Sequence, residues 1–239
     1  MSNAIDRRRL LARAAAFGLL GPLSGCNYDD LKHPDLADRV LTAISRWNDK
    51  VQAALFNPRL LAPTYPASAI TRPPRFNAFY SESQAPVIDG ARWKLELSGR
   101  IAEKQPWTLA DLRAAPQQSQ ITRLICVEGW RVIGQWGGVS LSWFLHRIGA
   151  DLRARYVSFH CADGYYESID MPSALHPQTI LALDFLGEPL TPPFGFPLRL
   201  RIPTKLGFKN PKSLVALGVT NDFPGGYWVR QGYNWFSGS

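Results

Sequence analysis

Cysteine, histidine and methionine are all scarce here: three, four and two residues respectively in a chain of 239. No C-x-x-C pair occurs, and none of His33, His146, His160 and His176 is spaced from another as zinc ligands are, which argues against a metal held by protein ligands alone. The C-x-x-C-H of covalent haem attachment is missing as well. So are G-x-S-x-G, H-E-x-x-H and G-x-x-x-x-G-K-[ST], the signatures of common hydrolases, zinc peptidases and nucleotide-binding loops. Charged residues make up only 19% of the chain, and the formal net charge of +8 is scattered among prolines and aromatics, with no nucleic-acid motif. Nucleic acid is not an expected partner.

Part of that charge sits at the N-terminus. Arg7, Arg8 and Arg9 precede Leu10-Leu11, and Ala14 to Gly25 is apolar, small and uncharged. The pattern is that of a secretory signal and is too short to span a bilayer as a mature helix. Its paired arginines resemble a twin-arginine address, and Leu23-Ser24-Gly25-Cys26 resembles a lipoprotein box. The expected location is therefore the periplasm, with Cys26 either carrying a lipid anchor or lost with the signal. Loss of residues 1–25 removes four arginines and one aspartate, so the formal charge falls from +8 to +5. Cys126 and Cys161 then remain, and in an exported chain their spacing leaves a disulfide open.

Leu36, Val40, Ile44, Trp47, Val51 and Leu55 recur every three to four residues, which predicts an amphipathic helix over Asp35 to Phe56. It reads as a scaffold helix packed against the domain; a polar face mixing Asp and Arg weighs against a membrane-surface role. Five prolines between Pro58 and Pro74 mark a connector. The divisions expected are a signal over 1–25, a helical extension and connector over 26–75, and a main domain over 76–239. Within that domain Trp93, Leu95 and Leu97 alternate as a half-buried strand, Thr108 and Ser140 cap short helices, and Gly134 to Gly138 reads as a loop. Strands are expected at Tyr156 to Cys161, Tyr165 to Ile169, Thr179 to Phe185, Pro197 to Ile202 and Lys212 to Thr220. Many short strands, few helices and no βαβ rhythm give an α+β class.

Ile121 to Val127 reads as a buried strand that brings Cys126 to its exit, before a turn at Gly129-Trp130. Such a cysteine can be inert packing, a hydrolase nucleophile acting with His146 or His160, or a soft ligand to a metal whose other ligands come from a cofactor. The last option requires a site for a large, phosphate-bearing organic group elsewhere in the chain.

Four ordered segments answer that requirement: Phe76-Asn-Ala-Phe-Tyr80, Thr122-Arg-Leu-Ile-Cys-Val-Glu-Gly-Trp130, Phe196-Pro-Leu-Arg-Leu-Arg-Ile-Pro203 and Lys205-Leu-Gly-Phe-Lys-Asn-Pro-Lys-Ser213. Together they resemble the sulfite oxidase family of molybdopterin enzymes, closest to the branch of the periplasmic protein-methionine-sulfoxide reductase catalytic subunit. The resemblance implies a mixed-sheet, sulfite-oxidase-type domain with an N-terminal helical extension, binding Mo-molybdopterin. It implies Cys126 as the thiolate on molybdenum and Glu128 as a proton relay beside it. Asn77, Tyr80, Ser81, Cys161 and Arg199 would contact the cofactor, with Lys212 on its phosphate and Asn210 and Pro211 offering main-chain contacts. Ser81, Cys161 and Phe194 depart from the family's usual Glu, Thr and Asn or His. The activity implied is two-electron, oxygen-atom-transfer chemistry, with sulfoxide reduction ahead of sulfite-type oxidation or a non-catalytic lipoprotein that keeps the fold. The substrate would be a small molecule or a protein side chain, and electrons would pass through a separate partner such as a membrane haem protein.

Overall fold

A computed structural model describes residues 34–76, 78 and 80–238. The signal, Cys26 and Asn77 lie outside the described residues. The chain divides into two compact units, one ending at Ser45 and the other running from Arg46 to Ser239.

Helix α1 (Pro34–Leu55) fills the predicted helical stretch. In the larger unit two five-stranded sheets carry the fold. The first has the order β2-β1-β10-β5-β6, from β1 (Lys94–Gly99), β2 (Trp107–Thr108), β5 (Tyr156–Cys161), β6 (Tyr166–Asp170) and β10 (Leu214–Thr220). β1 and β10 run parallel and the remaining pairs antiparallel, so the sheet is mixed as expected. The second has the order β3-β4-β7-β8, from β3 (Gln117–Ile125), β4 (Arg131–Ser140), β7 (Ile180–Phe185) and β8 (Glu188–Pro189), with β9 (Arg199–Arg201) also paired to β7. The short helices are α2 (Leu109–Ala114), α3 (Leu141–Arg147), α4 (Met171–Ala174) and α5 (Tyr227–Arg230). α2 starts on a reciprocal Thr108–Asp111 capping box and α3 on the Ser140 hydroxyl.

Alternation places Leu95 and Leu97 of β1, Val157 and Phe159 of β5, and Leu217 and Val219 of β10 in one large core with Phe144, Leu145 and Leu200. A smaller apolar cluster lies around Trp136, Leu124 and Ile180. The stretch Gly134 to Gly138 is not a loop but the middle of β4. Its glycines serve close packing: a Cβ on Gly134 would strike the Phe185 ring at 2.6 Å, and one on Gly138 would overlap the Leu181 carbonyl of β7. A bulge falls at Gly137 and Gly138 where β4 meets β7. Turn chemistry suggested a loop because glycine is read first as a turn former, whereas here the neighbouring strand leaves no room for a side chain.

Candidate functional site

Cys126 stands where β3 ends and the chain turns back into β4. The turn closes through the Cys126 N–H donating to Trp130 O (2.9 Å) and the Gly129 N–H donating to Cys126 O (3.1 Å), with Gly129 at φ +86°. Gly207 packs beneath it; a Cβ there would approach Ile125 O at 3.3 Å and Cys126 Cα at 3.6 Å. The Cys126 thiol is half-buried and unpaired, 3.7 Å from a Glu128 carboxylate oxygen that also accepts the Trp130 indole N–H at 2.7 Å. Burial pushes the thiol pKa up, and the Glu128 charge adds to the rise. A thiolate there is therefore stabilised only by a cation or metal replacing its proton.

Cys126, Glu128 and Trp130 face a cavity of about 580 Å³. Its other walls come from Arg75, Phe76, Ala78, Tyr80, Ser81 and Glu82, from Asp163 and Tyr165 at the β5–β6 hairpin, from Gly207, Phe208 and Asn210 to Lys212, and from Trp228 and Tyr233 near the C-terminus. Lys212 donates to Pro193 O (2.8 Å) and lies 4.4 Å over the Phe76 ring. Burial pulls its pKa down to about 7, helped by the Arg199 charge and opposed by Asp163 and Glu82. Arg199 is fully buried behind it on β9, donating to Phe194 O (3.0 Å) and Asn210 O (3.3 Å), with its guanidinium 4.7 Å over Trp136. Burial brings its pKa to about 10. Among the described residues neither cation has a carboxylate at ion-pairing distance, and Arg199 Nε has no hydrogen-bond partner. Gly195, at φ +103°, lets them converge, since a Cβ there would touch Lys212 Cβ at 3.0 Å and Arg199 Cβ at 3.2 Å.

One buried and one half-buried cation without a carboxylate partner among the described residues make a receptor for an anion such as phosphate. Among the described residues no group of three or more His, Cys, Asp or Glu could hold a metal. One thiol on one side and an anion cradle on the other fit a phosphate-bearing cofactor that brings its own metal ligands, so the residues present suit molybdopterin. Cys126 would ligate the metal and Lys212 and Arg199 would hold the phosphate-bearing part.

The other expected residues divide. Tyr80 and Ser81 line the cavity; burial and then Asp163 push the Tyr80 hydroxyl up to about 12, while Ser81 spends its side chain on Gln84 and Ser83. Cys161 is buried at the end of β5 and unpaired, its thiol pushed up by burial and by Asp163; neither cysteine is in a disulfide. Asn210 and Pro211 line the cavity without free main-chain donors: the Asn210 N–H already donates to Gly207 O, and proline has no N–H. Asn210 acts instead as a brace, its Oδ1 accepting from Arg201 and the Ile202 N–H. The Phe194 ring turns away onto Phe185 (4.9 Å), leaving its carbonyl to Arg199. Among the described residues no histidine lines the cavity, and His146 bonds its own helix at Ser142 O (2.7 Å), so neither His146 nor His160 forms a Cys–His hydrolase site there. Sequence reasoning missed Asp163, Arg75, Phe208, Trp228 and Tyr233; the Asp163-Gly164 turn was legible, but not the cavity it faces.

The comparisons agree with this geometry. Residues 82–228 match the model of the oxidoreductase molybdopterin binding domain. A putative protein-methionine-sulfoxide reductase subunit YedZ1 of Azospira oryzae is 53% identical over 98% of this chain and 88% of its own. The protein-methionine-sulfoxide reductase catalytic subunit MsrP of Xanthomonas campestris is 36% identical over 57% of this chain and 47% of its own length, so the chain spans about half of that relative. The sulfane dehydrogenase SoxCD of Paracoccus pantotrophus shares the fold with a TM-score of 0.54 at 20% identity, over 58% of this chain and 40% of that one. The family match covers more than half of the residues, and the chain therefore belongs to the oxidoreductase molybdopterin-binding domain family and is a molybdopterin-dependent oxidoreductase of sulfite-oxidase-type fold.

Proposed function

We propose that the protein reduces sulfoxides of thioethers, methionine sulfoxide among them, in the periplasm, reached through a twin-arginine signal over residues 1–25 and held there by a lipid on Cys26. The helical extension and connector of residues 26–75 would lead into the catalytic domain. The observation that carries the reading is the cavity in which the single thiol of Cys126 faces an aromatic wall, with an unpaired cation pair behind. The bound cofactor supplies a two-electron centre able to accept an oxygen atom. Around it the chain's residues bind, orient and protonate. Trp130, Phe208, Trp228 and Tyr233 offer faces and edges on which a sulfur-bearing side chain packs favourably. Such a wall suits an uncharged sulfoxide better than a sulfite dianion, and relatives named for methionine-sulfoxide reduction point the same way.

Reduction of a sulfoxide to a sulfide takes up two electrons and two protons and releases water. Glu128, held by the Trp130 indole N–H within 3.7 Å of the thiol, would carry protons to the departing oxygen. Electrons would come from a separate protein, with a membrane haem protein as the proposed donor. The test is elemental and kinetic: about one molybdenum per chain, turnover of methionine sulfoxide with a reduced dye, and loss of both in Cys126→Ser. Metal-free protein from a molybdopterin-competent host, or full turnover in Cys126→Ser, overturns the proposal.

A further inference from the structure

Within the larger unit, the C-terminal half of α1 packs on the rest of the unit with its polar side. Asp49 accepts from the Phe236 N–H (2.6 Å), Gln52 donates to Asn234 Oδ1 (3.2 Å) and accepts from the Gly238 N–H (3.1 Å), and the Phe56 ring just after the helix packs on Phe236 (5.7 Å). At about 100° per residue, Trp47, Val51 and Leu55 then fall on the opposite side. Trp47 is 66% and Leu55 79% exposed, and Leu60 and Leu61, a few residues on, are exposed at 70% and 57%. The expected scaffold packing is thus inverted, because the apolar stripe points outward. Beside it Leu55, Leu60, Leu61, Pro63 and Phe236 border an apolar groove of about 520 Å³. The N-terminal part of the helix, in its own unit, also exposes Val40, Leu41 and Ile44.

Charge indicates the occupant. From Arg46 to Leu61 the basic residues are Arg46, Lys50 and Arg59, all exposed and, among the described residues, without a salt bridge. The one acid in that stretch, Asp49, is turned inward. The mixture of Asp and Arg that counted against a membrane role in the sequence is resolved by orientation. An outward face with a tryptophan, leucines and flanking cations, and no carboxylate, matches an interfacial helix. α1 is not apolar enough to cross a bilayer, so lying on one is the available geometry. Only seven residues separate Cys26 from Pro34, so a lipid on that cysteine would keep the start of α1 within roughly 30 Å of the membrane.

We infer that the exposed face formed by Trp47, Leu55, Leu60 and Leu61 around the half-buried Val51, with Arg46, Lys50 and Arg59, is a docking surface for an anionic phospholipid bilayer. None of these residues lines the redox cavity, so failure of the inference would leave the oxidoreductase reading untouched. The test uses the cofactor-loaded full chain carrying Cys26→Ser, so that no lipid is attached, and co-sedimentation with vesicles of phosphatidylcholine and phosphatidylglycerol at three to one. The parent is expected to sediment with these vesicles and at least tenfold less with pure phosphatidylcholine. Trp47→Ser with Leu55→Ser, and separately Arg46→Glu with Lys50→Glu, should each weaken binding by about tenfold or more, with molybdenum content and dye-linked turnover unchanged. No binding by the parent, equal binding by all variants, or equal binding to neutral vesicles overturns the inference. So does concentration-dependent dimerisation that the same substitutions abolish in the absence of vesicle binding, which would assign the face to a second copy.

Discussion

Replacing Lys212 with Met should stabilise the cofactor-free protein at neutral pH while destroying its capacity to retain cofactor. In the folded chain burial holds the Lys212 ammonium near 7, against an ordinary 10.5. Below pH 7 both folded and unfolded chains carry the proton, and the folded state bears the full cost of holding that charge half-buried with no carboxylate beside it. As pH rises from 7 towards 10.5 the folded chain holds fewer protons than the unfolded one, so stability increases. At 1.36 kcal/mol per pH unit, the burden is about 4 kcal/mol at pH 7 and about 2 kcal/mol at pH 9. Met removes it but also loses the hydrogen bond to Pro193 O, worth about 1 kcal/mol. Apo Lys212→Met should therefore exceed apo wild type by about 3 kcal/mol at pH 7, and this advantage should shrink by about 2 kcal/mol at pH 9. For a domain of this size that change is a Tm difference of roughly 4–8 °C between the two pH values, readable by differential scanning fluorimetry. The loaded wild type should lack this pH dependence, since a phosphate would restore the lysine's proton, and the variant should purify with little molybdenum. Parallel Tm curves for the two apo proteins from pH 7 to 9 would refute the assignment of Lys212 as a buried cation awaiting an anion.

Glu128→Gln keeps an acceptor for the Trp130 indole but removes the proton carrier; kcat should fall about a hundredfold with molybdenum content unchanged. Gly195→Ala forces a side chain into left-handed backbone between Lys212 and Arg199, so molybdenum occupancy should drop and stability fall by about 1–2 kcal/mol, measured by urea unfolding. Glu167 and Lys209 form a buried pair at 2.6 Å, burial pushing the carboxyl up and the ammonium down. Glu167→Ala strands the lysine and should cost about 3–5 kcal/mol, with Glu167→Ala/Lys209→Met recovering much of the loss.

The chain's order of residues settled its elements wherever local rules apply. A 3.6-residue apolar period set α1, alternation set β1 and β5, and side-chain caps at Thr108 and Ser140 set α2 and α3. Cys126 at a strand exit was legible because the apolar run stops there, whereas Arg199 and Lys212 were singled out among several nearby basic residues only through the family resemblance of their segments. What local rules could not reveal was contact between distant segments. The glycines of β4 looked like a loop until β7 was seen to lie against them. That the Asn210 side chain braces Arg201 and the Ile202 N–H was likewise invisible until the segments were brought together. The walls at Asp163, Trp228 and Tyr233 join Cys126 only through the meeting of two sheets and a C-terminal segment.

By itself, then, the sequence determined the α+β class, since that depends on residue type and local period, and its resemblance to a known family singled out the thiol and the cations. Tertiary structure alone decided which main-chain donors were already taken, that Lys212 and Arg199 have no carboxylate at ion-pairing distance among the described residues, and that the C-terminal half of α1 turns Trp47 and Leu55 outward. Each of these is a statement about neighbours remote in sequence, and the physical terms that fix them, burial and charge pairing, exist only once the chain has folded.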